Sequence, residues 1–274
     1  MPRIRPSGWR SERGRREYLA AYNTALELWP VAFESLLVPT KFGDTHVIAS
    51  GARDAEPLVL LHAATGFGAT QWYPNVARLS ETFRVCAVDF IGSAGKGTQT
   101  KPILTPADCA DWTTDVIDGL GVSRANLAGS SQGGWLALNL ALLRPERLKA
   151  LALLGPAASI LPFRPLMWAM IRMGPCMGPY VPAWMGPSMI KALVGGRSEI
   201  DPRITRVLAL HLKHFLYQDR AVFPTVFSDT ELRGVAARTL LLIGEHERIY
   251  DATKALARAR RLIPDVDAEL VEGA

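Results

Sequence analysis

The stretch Ala125-Asn-Leu-Ala-Gly-Ser-Ser-Gln-Gly-Gly134 runs from a short apolar segment into the start of an amphipathic-to-apolar run, Gln132–Leu143. It reads as a strand, a tight turn and a helix. The turn carries Gly129-Ser130-Ser131-Gln132-Gly133, a G-x-S-x-G pattern. A nucleophile on so sharp a turn needs small neighbours two positions before and after it, and Gly129 and Gly133 supply them. The helix that follows aims its free N–H groups and positive end at any charge developing there. Ser131 is the candidate nucleophile and the Gln132 amide a candidate oxyanion donor. The bland reading is a Gly-rich turn with Ser131 as a helix cap, so the surroundings have to decide.

Outward from this turn, short β-rich runs recur at Ser35–Pro39, Thr45–Ser50, Pro57–His62, Arg84–Asp89, Leu148–Leu154, Thr239–Gly244 and Ala268–Val271. The first two flank Phe42-Gly43-Asp44 and predict an antiparallel hairpin. Later ones, such as Leu58-Val-Leu-Leu61 and Leu240-Leu-Leu-Ile243, are continuously apolar, as strands covered on both faces are. Helical patterns at Trp72–Thr82, Ala107–Leu120 and Thr253–Leu262 alternate with them. The alternation predicts a wound α/β sheet of eight mostly parallel strands. Residues 158–232 need no strand and predict a helical cap inserted between two core segments, 34–157 and 233–274, after a basic tail and amphipathic helix over 1–33.

Composition narrows the function classes. The chain has 274 residues, 49% apolar and 21% charged, which fits a folded globular protein. Its net charge of +5 is local: six of the 31 basic and one of the 26 acidic residues lie in 1–16, leaving 25 of each sign elsewhere. A nucleic-acid footprint is therefore not expected in the body. No apolar h-region follows the arginines, and prolines break the run Leu151–Ile171, so neither a signal peptide nor a membrane span is expected and the protein is placed in the cytoplasm. Cys86, Cys109 and Cys176 are dispersed and suggest neither disulfides nor zinc; His211 and His214 lack a third ligand, so no metal is expected. The loop Gly92–Thr98 fails as a phosphate loop, because Phe90 and Gly97 stand where Gly and Ser or Thr are required.

Two further strand ends resemble the α/β-hydrolase fold family. In Leu60-Leu-His-Ala-Ala-Thr-Gly66 the resemblance implies that the Ala64 amide is the second oxyanion donor and that His62 is a neighbour of the site; Ala63 stands where the family usually has Gly. In Leu242-Ile-Gly-Glu-His-Glu-Arg-Ile-Tyr-Asp251 it implies that Glu247, three residues past Gly244, is the triad acid, with Glu245 and Asp251 as rivals. The alternative acid position, Gly155-Pro-Ala-Ala158, has no carboxylate. The chain order of Ser and then acid also fits the family. Its histidine would follow the last strand, where this sequence reads Ala268-Glu-Leu-Val-Glu-Gly-Ala274. The expectation is thus a chain truncated before its base, with an uncovered sheet edge, reduced stability and turnover lowered by on the order of 10⁶.

The resemblance implies a cofactor-independent serine hydrolase of the carboxylesterase kind, working through an acyl-enzyme. The cap holds Met167, Met170, Met173, Met177, Met185 and Met189 with Trp168 and Trp184, a composition suited to an adaptable cover over a small, uncharged, apolar substrate. Arg164, Arg172 and Lys191 form no clear anion pocket. Two alternatives stay open: a non-catalytic ligand-binding protein, or a lyase or perhydrolase on the same fold.

Overall fold

The computed structural model describes residues 6–64, 68–165, 167–168, 200–218 and 221–274. The cap methionines from 170 to 189, with Arg172, Cys176, Trp184 and Lys191, lie outside the described residues. Eleven strands and seven α-helices are described. They are β1 (Gly8–Trp9), α1 (Glu12–Leu26), β2 (Phe33–Thr40), β3 (Gly43–Ser50), β4 (Glu56–Leu61), α2 (Tyr73–Leu79), β5 (Phe83–Val88), β6 (Thr98–Gln99), α3 (Pro106–Gly119), β7 (Ala125–Ser130), α4 (Gln132–Leu143), β8 (Leu148–Leu154), α5 (Pro202–His214), β9 (Phe215–Leu216), α6 (Asp229–Arg233), β10 (Arg238–Gly244), α7 (Ala252–Leu262) and β11 (Val266–Val271). A 3₁₀ turn, Gly68–Trp72, precedes α2.

The main sheet runs β11-β10-β8-β7-β4-β5-β3-β2, with β6 added beside β3. β2 pairs antiparallel with β3, and β3 with β5; from β5 to β11 every neighbour on the path is parallel. The eight-stranded, mostly parallel α/β-hydrolase sheet expected from the pattern is the one observed, and β6 is the addition that a two-residue segment could not announce. After β5 the chain returns to the other side of β4 to lay down β7. That reversal opens a crevice at the carboxyl ends of β4 and β7, the place where open α/β sheets bind ligands.

The period of two in each strand sorts side chains into two cores. Val59, Leu61, Cys86 and Val88 face one side, with Trp112 of α3, Trp135 of α4 and Leu256 of α7. Leu58, Leu60, Val85 and Ala87 face the other, with Tyr18 and Tyr22 of α1, Val76 of α2 and Val207 of α5. Helix α4 is buried from Gly133 to Ala141, which explains its lack of a polar face.

Two expectations need correction. The N-terminal stretch is not simply a tail, since Gly8–Trp9 pairs antiparallel with Phe215–Leu216, a short strand inside the segment expected to be helical throughout. Around this pairing, Ser7 N–H donates to Gln99 Oε1 at 2.7 Å, Gln218 N–H donates to Ser7 Oγ at 2.9 Å, and Gln99 Nε2 donates to Gln218 Oε1 at 2.8 Å. Each partner lies about 90 to 210 residues away, beyond what local pattern can report. Some of the arginine charge is also answered locally, by Arg13 with Glu17 and Arg15 with Glu12. No helix among the described residues is long and apolar enough to cross a membrane.

One buried carboxylate joins four parts of this frame. Asp89, just past β5, accepts from His46 Nδ1 of β3 (2.9 Å), the Tyr22 hydroxyl of α1 (2.9 Å), Ala69 N–H of the 3₁₀ turn (2.6 Å) and Lys96 N–H of its own loop (3.1 Å). Burial alone would raise its pKa, but the His46 ring, the nearby His62 and the Ala69 amide outweigh burial and hold it below the ordinary carboxylate range. A depressed carboxylate contributes stability that is present above its unfolded pKa and is lost as pH falls through the folded one. Asp89→Asn, which presents an NH₂ to donors that need acceptors, should cost about 3 kcal/mol or more in urea unfolding at neutral pH, narrowing in acid. A loss below about 1 kcal/mol would show that the four bonds are dispensable.

Candidate active site

Ser131 stands at the end of β7 with φ 50° and ψ −113°, one of two non-glycine residues with positive φ among those described. Such a conformation costs of order 1–3 kcal/mol and survives only where neighbours impose it. They do so here from three directions. Ser131 N–H donates to Leu154 O of β8 at 2.9 Å, Ala157 N–H donates to Ser131 O at 3.0 Å, and Gly134 N–H donates to the same oxygen at 3.0 Å. The two glycines are steric necessities: a Cβ on Gly129 would lie 2.2 Å from Gly133 O, and one on Gly133 would lie 2.2 Å from Leu61 O. The second contact presses α4 against the end of β4. Ser131 and Gln132 remain only partly buried. As the first residue of α4, Gln132 has an N–H that no carbonyl of its own helix can reach.

Ala64 lies in an exposed turn three residues past β4, beside the strand end that Gly133 touches. The next three residues, including Thr65 and Gly66, lie outside the described residues. His62 is buried and bonded through both ring nitrogens: Nδ1 donates to Ala63 O at 2.7 Å and Nε2 accepts from Phe90 N–H at 2.9 Å. Burial pushes its pKa down, and the two hydrogen bonds fix the ring in place.

Each of the three carboxylates after β10 accepts from a backbone N–H, Glu247 from Ile249 at 2.8 Å. Asp251 caps α7 by accepting from Lys254 N–H at 2.9 Å, and Glu245 accepts from Gly273 N–H at 3.0 Å. Glu247 turns back over the sheet, its Oε2 3.2 Å from where a Gly155 Cβ would stand. Gly155 follows β8, whose Leu154 carbonyl holds Ser131. Serine and carboxylate therefore sit on either side of the same strand end. Burial raises the Glu247 pKa, opposed without cancellation by the Ile249 and Arg248 amides and by Arg164.

Three of the four remaining histidines, all but His246, are engaged elsewhere. His46 bridges Ser35 and Asp89, His211 bonds the Tyr217 hydroxyl, and His214 bonds Glu17. Among the described residues no histidine hydrogen-bonds to Ser131 or Glu247. Two side chains escaped the sequence reading. Tyr250 is buried next to Glu247 with its hydroxyl unpartnered among the described residues, and Gln71 bonds Ala63 N–H at 2.8 Å. Gln71 lies in no motif, and Tyr250, though inside the stretch Leu242–Asp251, carries no spacing that marks it. Two surface hollows, one beside β2 and one between α1 and α5, are lined by neither Ser131, Ala64 nor Glu247.

Comparison with known proteins agrees with this geometry. The family model described as the alpha/beta hydrolase fold matches residues 56–174. The chain is 39% identical to a Bacillus subtilis protein named uncharacterized carboxylesterase nap, over 94% of this chain and 85% of that one. It is 37% identical to carboxylesterase YbfK of the same organism, over 96% and 88%. The crystal structure of the latter superposes with a TM-score of 0.87, covering 96% of this chain and 91% of that one. That of naproxen esterase, also from Bacillus subtilis, does so at 0.85 with 37% identity, covering 96% and 92%.

A carboxyl whose pKa is raised on folding binds its proton more tightly in the folded state. The stability linked to it is therefore greatest below the ordinary carboxylate range and is lost as pH rises through the raised value. Glu247→Gln, which keeps an oxygen for the Ile249 amide, should melt at an equal or higher temperature than the parent at pH 8, with the difference shrinking toward pH 4. A lower melting temperature for the variant at pH 8 would contradict the burial cost assigned to this carboxylate.

Proposed function

Because the chain belongs to the alpha/beta hydrolase fold family, we propose that it is a cofactor-independent carboxylesterase in which Ser131 is the nucleophile, the Ala64 and Gln132 amides hold the oxyanion, and Glu247 is the acid of the triad. The observation that carries this reading is the strained backbone of Ser131, held by β8 and by two glycines that no side chain could replace. A pocket that merely bound a ligand would not require that strain, which favours catalysis over passive binding.

In this mechanism Ser131 Oγ attacks the ester carbonyl carbon and its proton passes to a general base. The carbonyl oxygen becomes an oxyanion between the two amides, each worth about 2.7–4 kcal/mol in the transition state. The carbon–oxygen bond to the alcohol breaks as the base returns the proton to it. Water then attacks the acyl-enzyme by the same route, releasing the carboxylic acid and restoring the hydroxyl. Glu247 is the carboxylate placed to orient that base and to stabilise its charged form. Its raised pKa marks the low-polarity setting in which such a charge pair is strengthened.

We place the substrate among small or medium uncharged apolar esters, in keeping with the carboxylesterase names of the relatives and the Met- and Trp-rich composition of the cap. Cytoplasmic residence is supported by Cys86 and Cys109, both free and buried.

A fluorophosphonate probe should label the parent and not Ser131→Ala. Since no described histidine bonds Ser131, added imidazole should accelerate hydrolysis of p-nitrophenyl butyrate by the 274-residue chain saturably, by on the order of 10²-fold, and only when Ser131 is present. Equal labelling of the parent and Ser131→Ala would refute the assignment of the nucleophile.

A further inference from the structure

We propose that Gln71 is a positioning residue for the oxyanion: together with His62 it clamps the two peptide groups flanking Ala63, and so aims the Ala64 amide at the space above Ser131. What the amide is aimed at rests on the esterase reading; the clamp itself is geometry.

The peptide between residues 62 and 63 presents the Ala63 N–H, which donates to Gln71 Oε1 at 2.8 Å. The next peptide presents the Ala63 carbonyl, which accepts from His62 Nδ1 at 2.7 Å. That second peptide also owns the Ala64 N–H. A trans peptide is planar, with C=O and N–H pointing in opposite directions, and the described chain has no cis bond. Gripping the carbonyl therefore fixes the line along which the Ala64 amide points. Gripping the preceding N–H removes the other rotation about Ala63. A carbonyl that accepts a hydrogen bond also polarises its peptide, making the N–H at the other end a better donor.

Both grips are anchored on one short segment. Phe90 N–H occupies His62 Nε2 at 2.9 Å, so the ring must carry its proton on Nδ1, the atom facing Ala63 O. Asp89 holds Ala69 N–H at 2.6 Å, two residues before Gln71 in the same 3₁₀ turn. The Gln71 amide has one chemically sensible orientation, because only its oxygen can accept from an N–H. Ala64 itself lies exposed in a turn, where nothing from a strand or helix would otherwise set its direction.

The test compares Gln71→Met, similar in length without an acceptor, with Gln71→Glu, which restores an acceptor oxygen. Amide hydrogen exchange of ¹⁵N-labelled protein should show Ala63 protected in the parent, at least about tenfold faster in Gln71→Met and protected again in Gln71→Glu. With p-nitrophenyl butyrate, kcat of Gln71→Met should fall on the order of 30-fold with KM within about twofold, less than the 10²–10³-fold loss from deleting a donor outright. Affinity for a trifluoromethyl ketone, whose adduct on serine bears an oxyanion, should fall by the same factor. Unchanged Ala63 exchange in Gln71→Met overturns the clamp. Faster exchange with unchanged kcat and ketone affinity, or a loss carried by KM alone, overturns its role in aiming the amide. If Ser131→Ala alters neither hydrolysis nor ketone binding, the esterase reading falls separately, and Ala63 exchange decides the clamp by itself.

Discussion

Between β7 and α4 the backbone turns so tightly that Gly129 and the carbonyl of Gly133 would overlap if the first carried a side chain. This steric limit organises the crevice. It forces Ser131 into a positive φ, lifts its side chain out of the strand, and brings α4 down on the end of β4, where Gly133 meets Leu61. Strain of this kind persists only when the surroundings leave no alternative. The bonds from Leu154, Ala157 and Gly134 remove the alternatives, so the order of the parallel strands is what keeps the serine in place.

The side of the crevice formed by β4 and β5 depends on a different force. Asp89 is buried, yet it collects donors from α1, β3, the 3₁₀ turn and its own loop. A buried carboxylate left unpaired would be costly, so these donors are effectively obligatory, and those from Ala69 and Lys96 tie down chain that lies outside the main sheet. The next residue, Phe90, holds His62, and the 3₁₀ turn delivers Gln71. Ordering at the carboxyl end of β4 thus begins at one carboxylate behind it. Through Tyr22 the same carboxylate reaches the N-terminal helix, which packs on α5; the pairing of β1 with β9 ties that region together a second time.

On the β10 side, the family resemblance points to Glu247 by its spacing from Gly244, with Glu245 and Asp251 as rivals within the same seven residues. Their partners separate them. Asp251 is a helix cap and Glu245 holds Gly273, whereas Glu247 faces Gly155 over a strand end already bonded to Ser131. The burial that raises its pKa is a cost to the fold, of the sort expected where a charged group is kept for chemistry.

The sequence by itself determined the wound α/β sheet, because continuous apolar runs such as Leu58–Leu61 and the period of α3 and α7 are local properties of the chain. It also announced the sharp turn at Ser131, where Gly129 meets Gly133 within the turn itself, whereas glycine at 133 is required by the end of β4. Only the tertiary structure decided the rest. Pairing of Gly8–Trp9 with a strand some 200 residues later, the four donors on Asp89, the contacts that distinguish Glu245, Glu247 and Asp251, and the grip of Gln71 on Ala63 all join residues that no periodicity links. Local pattern records the conformation a residue prefers; which distant polar group satisfies a buried donor or acceptor is settled only once the strands are in order and water has been excluded.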